Sequence, residues 1–206
     1  MSPEWPSGVT PPVHPARIDA VALGASAGAV EALSLLLPAL PEHFHPAILL
    51  VVHRPRHPEH HLARLLASQC ALPVCEPQDK EPVRPGTLYL APPDYHLLVD
   101  EGPTLALSVA PPVCFSRPSI DVLLESAAEV YGPHLAAFIL TGANADGARG
   151  LEAVRRAGGL TGVEAPTTAQ YRVMPEAALA RGPVDFVLPL EQMVSLLRAL
   201  GRPGAI

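Results

Sequence analysis

No stretch of the sequence approaches the ~18–20 consecutive apolar residues needed to span a bilayer. The amino terminus, Met1-Ser2-Pro3-Glu4-Trp5-Pro6, has an acid and prolines where a secretory signal needs a basic segment followed by an apolar one. Cysteine is scarce and odd in number. Cys70, Cys75 and Cys114 cannot build a disulfide framework and read as thiols of a reducing compartment. Positive charge is in deficit too: 14 Lys and Arg against 20 Asp and Glu leave a net charge of −6, which argues against a general nucleic-acid binder or a protein held on anionic membranes. These absences predict a cytoplasmic monomer with no membrane insertion and no nucleic-acid partner.

What is present is apolar and regularly punctuated. Of the 206 residues 49% are hydrophobic, enough to bury a sizeable core in one domain. The 26 prolines fall mainly near the terminus and between periodic segments. Residues 1–17 read as a proline-rich tail, 18–199 as the folded domain and 200–206 as a second tail. The run Ala47-Ile48-Leu49-Leu50-Val51-Val52 is unbroken, as a strand buried on both faces of a parallel sheet should be. Similar runs predict strands near 18–23, 135–140, 160–163 and 185–188, with short ones at 72–75 and 87–90.

Helices are expected near 28–37, 58–68, 148–157, 175–181 and 189–199. The clearest follows Ser119, a good N-cap, with Ile120, Leu123, Leu124, Ala127, Ala128 and Tyr131 on one face. Residues 96–99 and 104–108 read as an antiparallel β-hairpin around Asp100-Glu101-Gly102-Pro103. Strands alternating with helices predict an α/β fold: a doubly wound, mostly parallel, Rossmann-like sheet with one antiparallel hairpin.

The chemistry clusters at strand ends. Gly24-Ala25-Ser26-Ala27-Gly28 joins the first strand to a leucine-rich helix, a strand–turn–helix that lies at the carboxyl edge of a sheet. Its Gly-x-Ser-x-Gly pattern suits an exposed nucleophile. Such turns also cradle phosphates or simply let a helix pack closely on a sheet. His53 follows the second strand and Asp146 comes after the strand at 135–140, so a base and an orienting carboxylate can converge on Ser26. Each also has a plain structural reading, as a turn residue, a surface histidine or a helix cap. Two further chemistries compete. His57, His60 and His61 share a helix face and could ligate zinc, but Glu59 is not placed as in His-Glu-x-x-His, and Cys70 and Cys75 lack a partner pair. Gly24–Gly28 lacks both a Walker lysine and the third glycine of a dinucleotide turn. No metal or cofactor is expected.

Gly24-Ala25-Ser26-Ala27-Gly28, Val51-Val52-His53, Pro85-Gly86-Thr87-Leu88-Tyr89-Leu90-Ala91-Pro92, His96-Leu97-Leu98, Arg117-Pro118-Ser119-Ile120-Asp121, Leu140-Thr141-Gly142 and Asp146-Gly147 occur in this order. From about residue 18 to 195 the sequence resembles the catalytic domain of bacterial chemotaxis receptor protein-glutamate methylesterases, the CheB type. The resemblance implies Ser26 as nucleophile, His53 as general base and acid, and Asp146 as orienting carboxylate. It implies a glutamyl methyl ester on a chemoreceptor as substrate, with glutamine deamidation in some members. Backbone N–H groups near Ala27 and in the 142–144 turn, Ala143 among them, would hold the oxyanion, and Arg54 and Arg117 would attract acidic receptor helices. The usual amino-terminal receiver domain has no counterpart in the short stretch before Ile18.

Three segments depart from the family pattern. Ala143-Asn144-Ala145 stands where a methionine and a glycine are usual, Glu164-Ala165 replaces Gln-Asp, and Val173-Met174-Pro175 replaces Gly-Met-Pro. These changes flank the site and favour an alternative, a catalytically weak member acting as a receptor-binding scaffold.

Overall fold

The computed structural model describes residues 17–54 and 61–201. β1 (Ala20–Ala25), β2 (Ala47–Val52), β3 (Val74–Cys75), β4 (Leu88–Leu90), β7 (Leu135–Ile139), β8 (Leu160–Glu164) and β9 (Phe186–Leu188) form one seven-stranded sheet of order β3-β4-β2-β1-β7-β8-β9. Every pairing in it is parallel. The doubly wound α/β sheet expected from the sequence is therefore present. β1, β2 and β7 are buried at every residue, which is why their sequences are continuous apolar runs.

Side chains alternate between two cores, one on each face. Val21, Leu23 and Ala25 point toward α1 (Ala29–Leu36), α2 (His61–Gln69) and α6 (Leu190–Leu200). Ala20 and Ala22 face α3 (Ile120–Tyr131), α4 (Ala148–Arg156) and α5 (Val173–Ala180). α1 turns Ala29, Ala32, Leu33 and Leu36 inward at helical spacing. α3 buries Ile120, Leu123, Leu124, Ala127 and Ala128, and the Ser119 side chain accepts the Val122 N–H at its start, as the capping pattern predicted.

β5 (His96–Asp100) and β6 (Thr104–Ser108) make the expected antiparallel hairpin, with Asp100 opposite Thr104 inside the ladder. It forms a separate sheet on α3: Leu97, Val99 and Leu105 share a core with Leu123 and Leu124, and the Val99 N–H donates to Ser126 Oγ. Other differences lie at element ends. β1 starts and stops later than the apolar pattern predicts, and α6 takes in Leu200, which the composition had placed in a tail. Both tails, up to residue 16 and from residue 202, and residues 55–60 lie outside the described residues, with His57, His60 and the predicted start of α2 among them. The three cysteines are free, Cys114 exposed and the other two half-buried. No helix among the described residues is long and apolar enough to cross a membrane.

Candidate active site

The chain leaves β1 toward β2 on one side and β7 lies on the other, so the topological switch point falls beside β1, at the carboxyl edge where open α/β sheets bind ligands. Ser26 stands there. Ala25 pairs with Val52 across β1 and β2, so Ser26 and His53 leave neighbouring strands at the same level, and the His53 N–H donates to the Ala25 carbonyl at 3.1 Å. Adjacent strands lie ~4.8 Å apart, which brings the two side chains into one neighbourhood. Both line a cavity of about 670 Å³ together with Glu31, Arg54, His61 and Leu62.

The turn that carries Ser26 is held from β7. Thr141 accepts the Ser26 N–H at its carbonyl (2.9 Å), donates its own N–H to Glu164 Oε2 (2.7 Å) and its hydroxyl to the Ala27 carbonyl (2.9 Å). Gly28 follows with a φ of 81°, a left-handed conformation that glycine adopts without a side-chain penalty, and α1 begins. A Cβ at Gly24 would lie 2.4 Å from Ile120 Cγ2, so this glycine makes room for α3 against the β1 strand.

Asp146 lies in the loop between β7 and α4, and α3 determines where it sits. The carboxylate caps the α3 amino terminus: Oδ1 accepts the Ser119 hydroxyl (2.8 Å) and the Asp121 N–H (3.0 Å), and Oδ2 accepts the Ile120 N–H (2.6 Å). An anion is favoured at a helix amino terminus. Oδ2 also meets His53 Nε2 at 2.7 Å, with Asp146 fully buried and the His53 side chain only 10% exposed. Burial alone would push the Asp146 carboxyl up, but the hydrogen bonds from His53, Asp121, Ile120 and Ser119 outweigh it and hold the group below the ordinary Asp range.

Asn144 settles which His53 nitrogen carries the proton. Its Oδ1 accepts the Asp146 N–H at 3.2 Å, which turns Nδ2 toward His53 Nδ1 at 3.3 Å. A carboxamide nitrogen can only donate, so Nδ1 is the acceptor and Nε2–H donates to Asp146. In this arrangement the Asn144 amide takes the Nδ1 lone pair of His53.

The CheB methylesterase family model matches residues 21–197. The chain belongs to the CheB methylesterase family. A relative from Leptospira interrogans, named putative protein-glutamate methylesterase/protein-glutamine glutaminase, is 42% identical over 178 residues, 86% of this chain and 92% of the relative. One from Anaeromyxobacter dehalogenans, named protein-glutamate methylesterase/protein-glutamine glutaminase 1, is 38% identical over 208 residues, 97% of this chain and 59% of that longer protein. The crystal structure of the Thermotoga maritima CheB methylesterase catalytic domain superposes with a TM-score of 0.84 at 33% identity, covering 90% of this chain and all of that one.

The remaining residues singled out in the sequence fall in several places. Arg54 is on the cavity wall with its guanidinium ion-paired to Glu76 and donating to the Ala91 carbonyl at 3.0 Å. Arg117 is ion-paired to Asp94 and donates to the carbonyls of Val109 and Ala110, securing the loop that leads to α3. Ala143 is exposed, while the neighbouring Gly142 N–H is taken by the Tyr171 carbonyl at 3.0 Å. His61 opens the described part of α2. Cys114, Asp121 and Asp146 offer ligand atoms within 4.8 Å of one another, yet protein donors already occupy both Asp146 oxygens, so a cation there would have to displace them.

Sequence reasoning missed part of the support. His96 is buried, takes the Ser119 N–H on Nδ1 at 3.2 Å and places Nε2 3.2 Å from the Pro111 carbonyl, bracing the α3 amino terminus. Ser119 was legible as a cap but not as a ligand of Asp146. The buried carboxylate of Glu164 was visible only as a departure from a pattern.

Proposed function

We propose that the chain is a serine hydrolase that removes methyl esters from glutamate side chains of chemoreceptors, with Ser26, His53 and Asp146 as its triad. The observation that carries the reading is the buried His53–Asp146 pair beside Ser26 at the switch point of a CheB methylesterase fold. Ser26 Oγ attacks the ester carbonyl and passes its proton to His53 Nδ1. Asp146 stabilises the imidazolium through Nε2–H, and Nδ1 returns the proton to departing methanol. Water then clears the acyl-enzyme by the reverse use of the same base. Glutamine would follow the same course with ammonia leaving, in line with the double names of the relatives.

The backbone N–H groups of Ala27 and Ala143 are the oxyanion donors in this reading, since that of Gly142 is engaged. Of the two arginines, Arg54 is the one on the cavity wall, where it is ion-paired to Glu76, and in this reading it attracts acidic residues flanking the ester; Arg117 stabilises the loop before α3. The test is methanol release from methylated receptor membranes, with fluorophosphonate labelling in parallel. Ser26→Ala should abolish both, and His53→Ala and Asp146→Asn should each lower the rate by ~10³-fold or more. Equal release by all four proteins would overturn the triad, and no labelling of the wild type would favour the scaffold reading.

A further inference from the structure

We infer that Phe115 is the anchor by which the chemoreceptor docks beside the Ser26 site. The inference rests on the reading of a chemoreceptor as the substrate and adds to it a contact outside the triad. Phe115 is fully exposed (104%) and Val109 is 66% exposed, the two barest large apolar side chains among the described residues. Both belong to the loop between β6 and α3. Within it, Val113 and Ser116 exchange two backbone hydrogen bonds, of 3.1 and 2.9 Å, that close a hairpin turn on Cys114 and Phe115. These two residues have φ angles of 49° and 62°. A two-residue turn with both φ values positive ordinarily takes Asn-Gly or Asp-Gly. A phenylalanine there strains the backbone and buries nothing, so the fold gains nothing from its ring. Strain held in place without local compensation points to a function.

The loop is braced, and its tip lies at the triad. Arg117 donates to the carbonyls of Val109 (2.7 Å) and Ala110 (3.0 Å) across the neck of the loop, and to Asp94. His96 takes the Ser119 N–H on Nδ1, so its proton is on Nε2 and is donated to the Pro111 carbonyl at 3.2 Å. Ser119 in turn donates its hydroxyl to Asp146. At the tip, Cys114 Sγ lies within 4.8 Å of a carboxylate oxygen of Asp146, the group that holds His53. The same side chains therefore brace the loop and place the carboxylate of the site. A receptor helix is ~10–12 Å across with its side chains, wide enough to cover His53 and the turn beside Asp146 together. An aromatic side chain already held in position loses little freedom on binding, which is what an interface anchor requires. The net charge of −6 opposes an anionic bilayer as the occupant and favours the receptor protein.

The test separates docking from chemistry. In a Ser26→Ala background, cosedimentation with methylated receptor membranes should weaken ~10-fold for Phe115→Gly and stay within ~2-fold for Phe115→Tyr, which keeps the ring. With Ser26 intact, Phe115→Gly should raise KM for methanol release ~10-fold, while the small fluorophosphonate labels Ser26 at the wild-type rate. Glycine accepts the positive φ without a side-chain penalty, so this variant should melt no lower than wild type. Unchanged binding by Phe115→Gly overturns the inference. So does an equal loss of binding to receptor-free vesicles of the same lipids, which would put the ring in the bilayer. Binding that depends on Phe115, with no methanol released by the wild type, would sink the esterase reading and leave the docking site standing.

Discussion

Asp146 and Glu164 are both buried carboxylates, yet their surroundings drive them in opposite directions. The hydrogen bonds on Asp146 hold its folded-state titration below the unfolded value of ~3.9, so its contribution to stability is present above about pH 4 and is lost as pH falls through the lowered value. Urea unfolding midpoints should therefore fall more steeply below about pH 4 for wild type than for Asp146→Asn, whose curve should be lower at pH 7 and flatter. For Glu164, burial raises the group, the Thr141 N–H lowers it and Glu191 raises it, leaving a net upward shift. Its favourable contribution is complete below the unfolded value of ~4.3 and lost as pH rises through the folded one. Glu164→Gln keeps an acceptor for the Thr141 N–H, so its melting temperature should gain on wild type at pH 8 by more than at pH 4. Ser26 and His53 were legible in the sequence because each follows an apolar run. The donors around Asp146 were not, because Ser119, Ile120 and Asp121 are brought to it by the packing of a helix far away in the chain.

Among the elements, α3 does the most to assemble the site. Its cap holds Asp146, its first turn touches β1 through Gly24, and its outer side carries the hairpin. Gly24→Ala would drive a methyl group into Ile120 and should destabilise the fold by ~1–3 kcal/mol. Ile120→Ala removes the obstructing Cγ2 at a cavity cost of ~2–5 kcal/mol. The two changes should be clearly less than additive in a double-mutant cycle of chemical denaturation, since the second relieves the clash of the first. Additive losses would mean that Gly24 is needed for something other than this contact. α3 itself was readable from its cap and its apolar spacing, and so was the β-hairpin. That the hairpin would fold onto α3 was not, because alternation along a strand tells which face is buried without naming what buries it.

On the scale of the whole molecule, one sheet is shared by two cores, and every strand that positions the site contributes to both faces. Leu196, on α6, is fully buried in the core opposite α3. Leu196→Ala should cost ~2–5 kcal/mol and lower the melting temperature. Far-ultraviolet circular dichroism and fluorophosphonate labelling of Ser26 should be lost at the same lowered temperature, because one cooperative sheet joins that core to the site. Two separate midpoints would show that the faces unfold independently. The sequence by itself determined the α/β class, the parallel sheet, the hairpin and the strand ends that carry Ser26 and His53. These depend on local properties: apolar run length, periodicity, turn chemistry and the common direction of parallel strands. Only the tertiary structure decided that Asp146 reaches His53 from the α3 amino terminus, that Gly24 makes room for Ile120, and that Asn144 donates to the second ring nitrogen of His53. Each of these is a contact between segments distant in the chain, where strand order, helix approach and donor geometry act together, and no pattern within one segment encodes them.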